Sequence, residues 1–188
     1  MTCEFGKLIV TIMKELELFK QNLRFQSWGE LYLGCKANWI APNDVMEFCE
    51  NKKVKPANDE DYTALYLALD DSNYQFLEQL KALLLKYEGV TISKNEDELR
   101  DFIFNYIPSK YFKIWELEFL LEAISLPISV SDKLHEVASL FDKMNYPEEW
   151  KPFLYYQQLF EKGNMLDENT LYQNLIDYIE EQKENYKS

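Results

Sequence analysis

Apolar residues recur with the period of an α-helix along most of this chain, and that period limits the folds open to it. In "FGKLIVTIMKELELF" (5–19), Phe5, Leu8, Ile9, Ile12, Met13, Leu16 and Phe19 keep the i, i+3, i+4, i+7 spacing of one buried helix face. The same pattern closes the chain in "ENTLYQNLIDYIEEQ". Five glycines and six prolines in 188 residues are too few for a protein of many hairpins. The chain therefore reads as all-α: an irregular bundle of eight or nine helices, arranged as antiparallel pairs, in a single domain spanning 1–188.

Local signals divide the pattern into elements. Ser27 and Glu30 in "SWGE" have the spacing of a capping box. Gly34 weakens the helix that follows, so either a neighbour packs closely there or the helix is short. Pro42 suits the first turn of the next helix. Residues 52–61, "KKVKPANDED", read as a flexible link, and Asp70-Asp71-Ser72 as the break between two further helices. Gly89 is placed for a left-handed cap, and "VTIS" (90–93) is too short to found a sheet. A helix is expected from Asn95 to Pro108. The most apolar one follows in "SKYFKIWELEFLLEAISLP", and the next has Ser131 as its cap. In "NYPEEWKPFLYYQ" (145–157), Pro147 ends the preceding helix and opens another turn. Trp150, Phe153 and Tyr156 then share a packed face, so the segment reads as a corner before it reads as a contact surface.

Charge narrows the partners. Twenty basic against thirty-three acidic residues give a net charge of −13. Such a surface repels nucleic-acid phosphate and anionic membranes and attracts cationic proteins. Cys3, Cys35 and Cys49 are odd in number, lack CxxC spacing and fit reduced thiols in the cytoplasm. No stretch has the length of apolar sequence needed to span a membrane. The pattern does not fix an oligomeric state.

Few residues carry recognisable chemistry. The one histidine, His135, has no second histidine or suitably spaced cysteine and reads as a structural or surface residue. Glu118 and Glu122 share a helix face and could serve a carboxylate-dependent metal hydrolase, although solvated positions explain Glu116, Glu118 and Glu122 more simply. Phosphate loops and dinucleotide fingerprints are missing, so no cofactor and no enzyme is expected. The sharper candidates are the acidic clusters Asp59-Glu60-Asp61, Asp70-Asp71 and Glu96-Asp97-Glu98, expected to be exposed at helix starts and links. They would face a basic partner, with tyrosines or tryptophans as anchors.

Two segments, "SWGELYLGCKANWIAPNDVMEFC" and "EVASLFDKMNYPEEWKPFLYY", resemble a bacterial family catalogued as domain of unknown function 2247. The first family motif is matched by Trp28, Gly34, Trp39-Ile40 and Asp44. The second is matched by Asp142, Asn145, Tyr146 and Pro147, then Phe153 and Tyr156. Lys143 and Met144 depart from the aromatic approach to Asn145, and 52–61 has no counterpart. The resemblance implies a helical protein similar to the small acidic immunity proteins found beside bacterial toxins. On that reading the chain is cytoplasmic and neutralises a basic toxin, a nuclease for example, by occlusion. A helical adaptor is the alternative from the class of scaffolds.

Overall fold

The computed structural model describes residues 27–50, 58–92, 107–154 and 167–187. The described residues contain helices and no strand, so the fold is all-α. The α-helices are α1 (Trp28–Lys36), α2 (Pro42–Glu50), α3 (Asp59–Asp71), α4 (Asn73–Glu88), α5 (Phe112–Ser125), α6 (Val130–Lys143) and α7 (Glu168–Lys187). Short 3-10 helices cover Ser109–Tyr111 and Glu148–Phe153. The helix expected over 5–19 and residues 95–106 of the next expected one lie outside the described residues, as do Cys3, Tyr156 and most of the link at 52–61. The chain groups into two compact units, Met1–Trp115 and Glu116–Ser188, with the division falling inside α5.

In the first unit, α4 is the element on which α1 and α3 both pack, while α2 packs on α3. The caps explain why these helices begin and end where they do. Glu30 N–H donates to Ser27 Oγ, and Ser27 N–H donates back to the Glu30 carboxylate, completing the expected capping box. Asp44 accepts from Ala41 N–H at 2.9 Å one turn into α2, whose first residue is Pro42. Gly89 ends α4 at φ 66°, in the left-handed region that a residue with a Cβ enters only at a cost. The link at 52–61 is shorter than expected, because Asn58 caps α3 and residues 59–61 form its first turn. The Asp70-Asp71-Ser72 break contracts to Ser72 alone, which ends α3 and caps α4.

The core of this unit is aromatic. Trp28, Tyr32, Phe48, Phe76, Tyr111 and Trp115 are all buried. Trp115 donates its ring N–H to the Glu30 carbonyl at 3.0 Å and lies 5.2 Å from the Trp39 ring. Both explanations for Gly34 hold: α1 is only nine residues long, and the Trp115 ring occupies the space where a side chain would stand. A Cβ at Gly34 would meet that ring at 2.1 Å, with Ile40 at 3.0 Å beyond.

In the second unit α7 packs on α6 and on the Glu148–Phe153 helix. Trp150 and Phe153 are buried; the Phe141 ring lies tilted 6.4 Å from that of Trp150, and the Tyr178 ring tilted 5.4 Å from that of Phe153. The corner reading of "NYPEEWKPFLYYQ" therefore holds for these two aromatics. Asn145 and Tyr146 both take positive φ, 60° and 59°, which carries the chain out of α6 ahead of Pro147. The cap of α6 is Ser129, whose Oγ accepts from Asp132 N–H, and not Ser131. Sequence alone does not separate two serines two residues apart; the extended backbone at Ser129 decides it.

Gly34→Ala is expected to destabilise the protein by about 1–3 kcal/mol through overpacking against Trp115. Urea unfolding checks this; an unchanged midpoint would show that the Trp115 ring gives way freely.

Candidate functional site

The sequence candidates separate once their surroundings are known. Glu96, Asp97 and Glu98 lie outside the described residues. Asp59, Glu60, Asp70 and Asp71 are exposed, as expected. Asp61 is not: it is 7% exposed and serves the interior of its own unit. One carboxylate oxygen accepts from Lys86 Nζ at 2.7 Å, and the other from the Tyr87 hydroxyl and from Asn58 N–H at 3.1 Å. It closes the capping box of α3 and pins that helix to the end of α4. Burial alone would raise its pKa, but the hydrogen bonds from Lys86, Tyr87 and Asn58 outweigh that and hold it below the ordinary carboxylate value.

The remaining acids of α3 share a face. At 100° per residue, Asp59, Thr63, Tyr66 and Asp70 fall within one narrow arc, and Glu60, Leu67 and Asp71 extend it. The buried Asp61 and Leu65 lie opposite. Within the arc Leu67 is 67% exposed and Tyr66 52%, while Tyr74 opens α4 at 62%. Leu67 has Asp70 and Asp71 at i+3 and i+4, with Thr63 and Glu60 one and two turns back. Among the described residues no salt bridge holds Asp59, Glu60, Asp70 or Asp71. Asp59 and Glu60 stabilise the start of α3 through its dipole. Asp70 and Asp71 oppose the end of α3 and favour the start of α4, so helix electrostatics gives them little net benefit.

Leu67 and its neighbours were not among the candidates from sequence. The signal existed: Leu67 falls on the side of Asp59 and Asp70, away from the Leu65 stripe. An isolated leucine in "ALYLALDD" is nonetheless indistinguishable from core until the packing side is known.

In the first unit the family-motif residues take part in packing and capping. Trp28 is fully buried, Gly34 admits Trp115, the Trp39 ring lies tilted against Trp115, and Asp44 caps α2. In the second unit, the Tyr146 hydroxyl donates to Asp142, and its ring sits edge-on to Phe141 at 5.2 Å while remaining 53% exposed. Asn145 donates its backbone N–H to the Asp142 carbonyl. His135 is exposed and hydrogen-bonds the Ser131 carbonyl through Nδ1.

Glu116 and Glu118 correct a further expectation, since both are buried and not solvated. Their helix is apolar on every side, so position along it does not reveal exposure. Glu118 Oε1 has no hydrogen-bond partner. Burial, and then the charge of Glu122 one turn on, pushes its pKa up to about 8. Cys35 and Cys49 are buried and form no disulfide, and burial raises the Cys35 pKa. Among the described residues no three His, Cys, Asp or Glu side chains gather to hold a metal, and no helix is long and apolar enough to cross a membrane.

Comparison with known proteins places the chain. A family model described as "Uncharacterized protein conserved in bacteria (DUF2247)" matches residues 16–183. No curated protein and no solved structure matches it.

Two opposite pH effects follow. The Asp61 contribution is present above its unfolded pKa and lost as pH falls through its depressed folded value. Asp61→Asn should cost about 1–3 kcal/mol at neutral pH and flatten the acid limb of the stability curve. Glu118 acts in reverse: between about 4.5 and about 8 the native state binds more protons than the unfolded chain, so stability falls as pH rises. Glu118→Gln should remove that part of the slope. Urea midpoints across this range, compared with wild type, test Glu118, and midpoints carried into acid below the ordinary aspartate pKa test Asp61; curves parallel to wild type in the relevant window would refute the assignment.

Proposed function

The chain belongs to the DUF2247 family of bacterial proteins, and on that premise we propose that it is a cytoplasmic binding protein of the immunity type. It neutralises a basic protein toxin by covering the toxin's substrate-binding surface. The observation that supports this most directly is the exposed face of α3, where Asp59, Glu60, Asp70 and Asp71 stand free of salt bridges around Leu67. A toxin that acts on nucleic acid gathers Lys and Arg to hold phosphate. The carboxylates of α3 pair with those same cations, so the substrate loses its site without any chemistry by the inhibitor.

The physical logic has two parts. Net charge of −13 draws a cationic partner in from a distance, and complementary charge raises association rates by roughly 10–1,000-fold. The exposed apolar residues then supply area that excludes water once the surfaces meet. Carboxylates at the rim act chiefly on the rate of association.

The test uses the purified chain and the product of the neighbouring gene, if that product is basic and toxic when expressed alone. Co-expression is expected to restore growth. The association rate should fall on the order of tenfold when salt rises from about 0.01 M to about 0.15 M, as the Debye length shrinks from roughly 30 to 8 Å. The variant D59N/E60Q/D70N/D71N should slow association and change dissociation little. A salt-independent rate, or full protection by that variant, would refute the assignment of α3.

A further inference from the structure

The α3 face carries more than charge. Its two acidic pairs, Asp59-Glu60 and Asp70-Asp71, are eleven residues apart, about 16 Å along the axis at 1.5 Å per residue. Between them the face presents Tyr66 and the most exposed large apolar side chain of the described residues, Leu67. Carboxylates alone would accept any polycation. An apolar centre between two acidic ends selects a ligand with an apolar stripe bordered by cations.

The backbone narrows the ligand further. An extended peptide gains affinity by adding to a free sheet edge, and the described residues contain no strand. The N–H groups within α3 are committed to the helix itself, and at its start Asn58 Oδ1 accepts from the Asp61 N–H. Side chains are therefore what α3 offers, and another helix matches them by laying a ridge along its surface. Asp61 does not share in this, being fixed from behind by Lys86 and Tyr87.

We infer that the α3 face receives a cationic amphipathic helix of the partner, with its apolar stripe seated on Leu67 and its Lys or Arg residues reaching both acidic pairs. The inference rests on the binding role proposed above and specifies which part of the partner docks and which residue anchors it. Tyr74, at the start of α4, lies three residues beyond Asp71 and is also exposed.

The experiment uses two fluorescein-labelled synthetic peptides of equal length and composition, built from Lys and Leu. In one the leucines line a single helix face; in the other they are scrambled around it. The amphipathic peptide should bind at least about tenfold tighter, and Leu67→Ala should abolish that advantage without affecting the scrambled peptide. Leu85→Ala is the control, since Leu85 is also exposed but follows Lys81 and precedes Lys86. It should leave both affinities unchanged. Equal binding of the two peptides, an unaltered preference in Leu67→Ala, or an equal loss in Leu85→Ala would overturn the inference. The D59N/E60Q/D70N/D71N variant separates the two levels: it should weaken both peptides. If it weakens both while Leu67→Ala has no effect, the charged face stands and the helical anchor fails. If it weakens neither, the acidic-face reading fails as well.

Discussion

Glu88 ties three elements of the first unit together by placing a carboxylate at the open start of α1. As the last residue of α4 it sits badly for its own helix, whose dipole is negative at that end. Its Oε1 instead accepts from Trp28 N–H at 2.6 Å and Gly29 N–H at 3.2 Å, the open donors at the start of α1. Its other oxygen accepts from the Tyr111 hydroxyl. One side chain thus joins α1, α4 and the Ser109–Tyr111 helix. Gly29 makes that approach possible, because the Tyr111 ring fills the space where its Cβ would be. With α1 fixed, Gly34 is brought to Trp115 and the aromatic core closes.

The acidic character of the chain consequently has two meanings. Glu88, Asp61, Glu30 and Asp44 are committed to caps and to contacts between helices. Asp59, Glu60, Asp70 and Asp71 are not. Net charge does not distinguish these groups, and a sequence run such as Asp59-Glu60-Asp61 contains both. The difference arises from helical geometry: Asp61 is turned about 200° from Asp59, toward α4 and the Lys86 ammonium. Glu118 belongs to neither group, for it is buried with one oxygen unpartnered and therefore shifts toward its neutral form.

This explains what the sequence disclosed. Features encoded within one turn were legible: the Ser27–Glu30 box, Pro42 at a helix start, Gly89 at a helix end, and Pro147 as a stop. The helical class followed from a period repeated many times. Features that need a partner from elsewhere in the chain were not legible. Lys86 is twenty-five residues from Asp61, and Tyr111 is twenty-three from Glu88. Nothing local marks either pair. Burial of Glu116 and Glu118 was hidden for a related reason, since α5 is apolar all round and its charged positions look like the solvated ones they are not. The exposed face of α3 became visible only when Leu65 and Asp61 showed which side of the helix is inside.

Ser72 is the sole residue between α3 and α4. Its N–H donates to the Ala68 carbonyl, closing one helix, and its hydroxyl accepts from Gln75 N–H, opening the next. With Asp61 fastened to Lys86 and Tyr87, the two helices are tied where they meet and again where α3 begins and α4 ends. A surface mounted on such a frame has little conformational entropy left to lose when something settles on it. The ordering cost of the proposed contact would then fall very little on this chain.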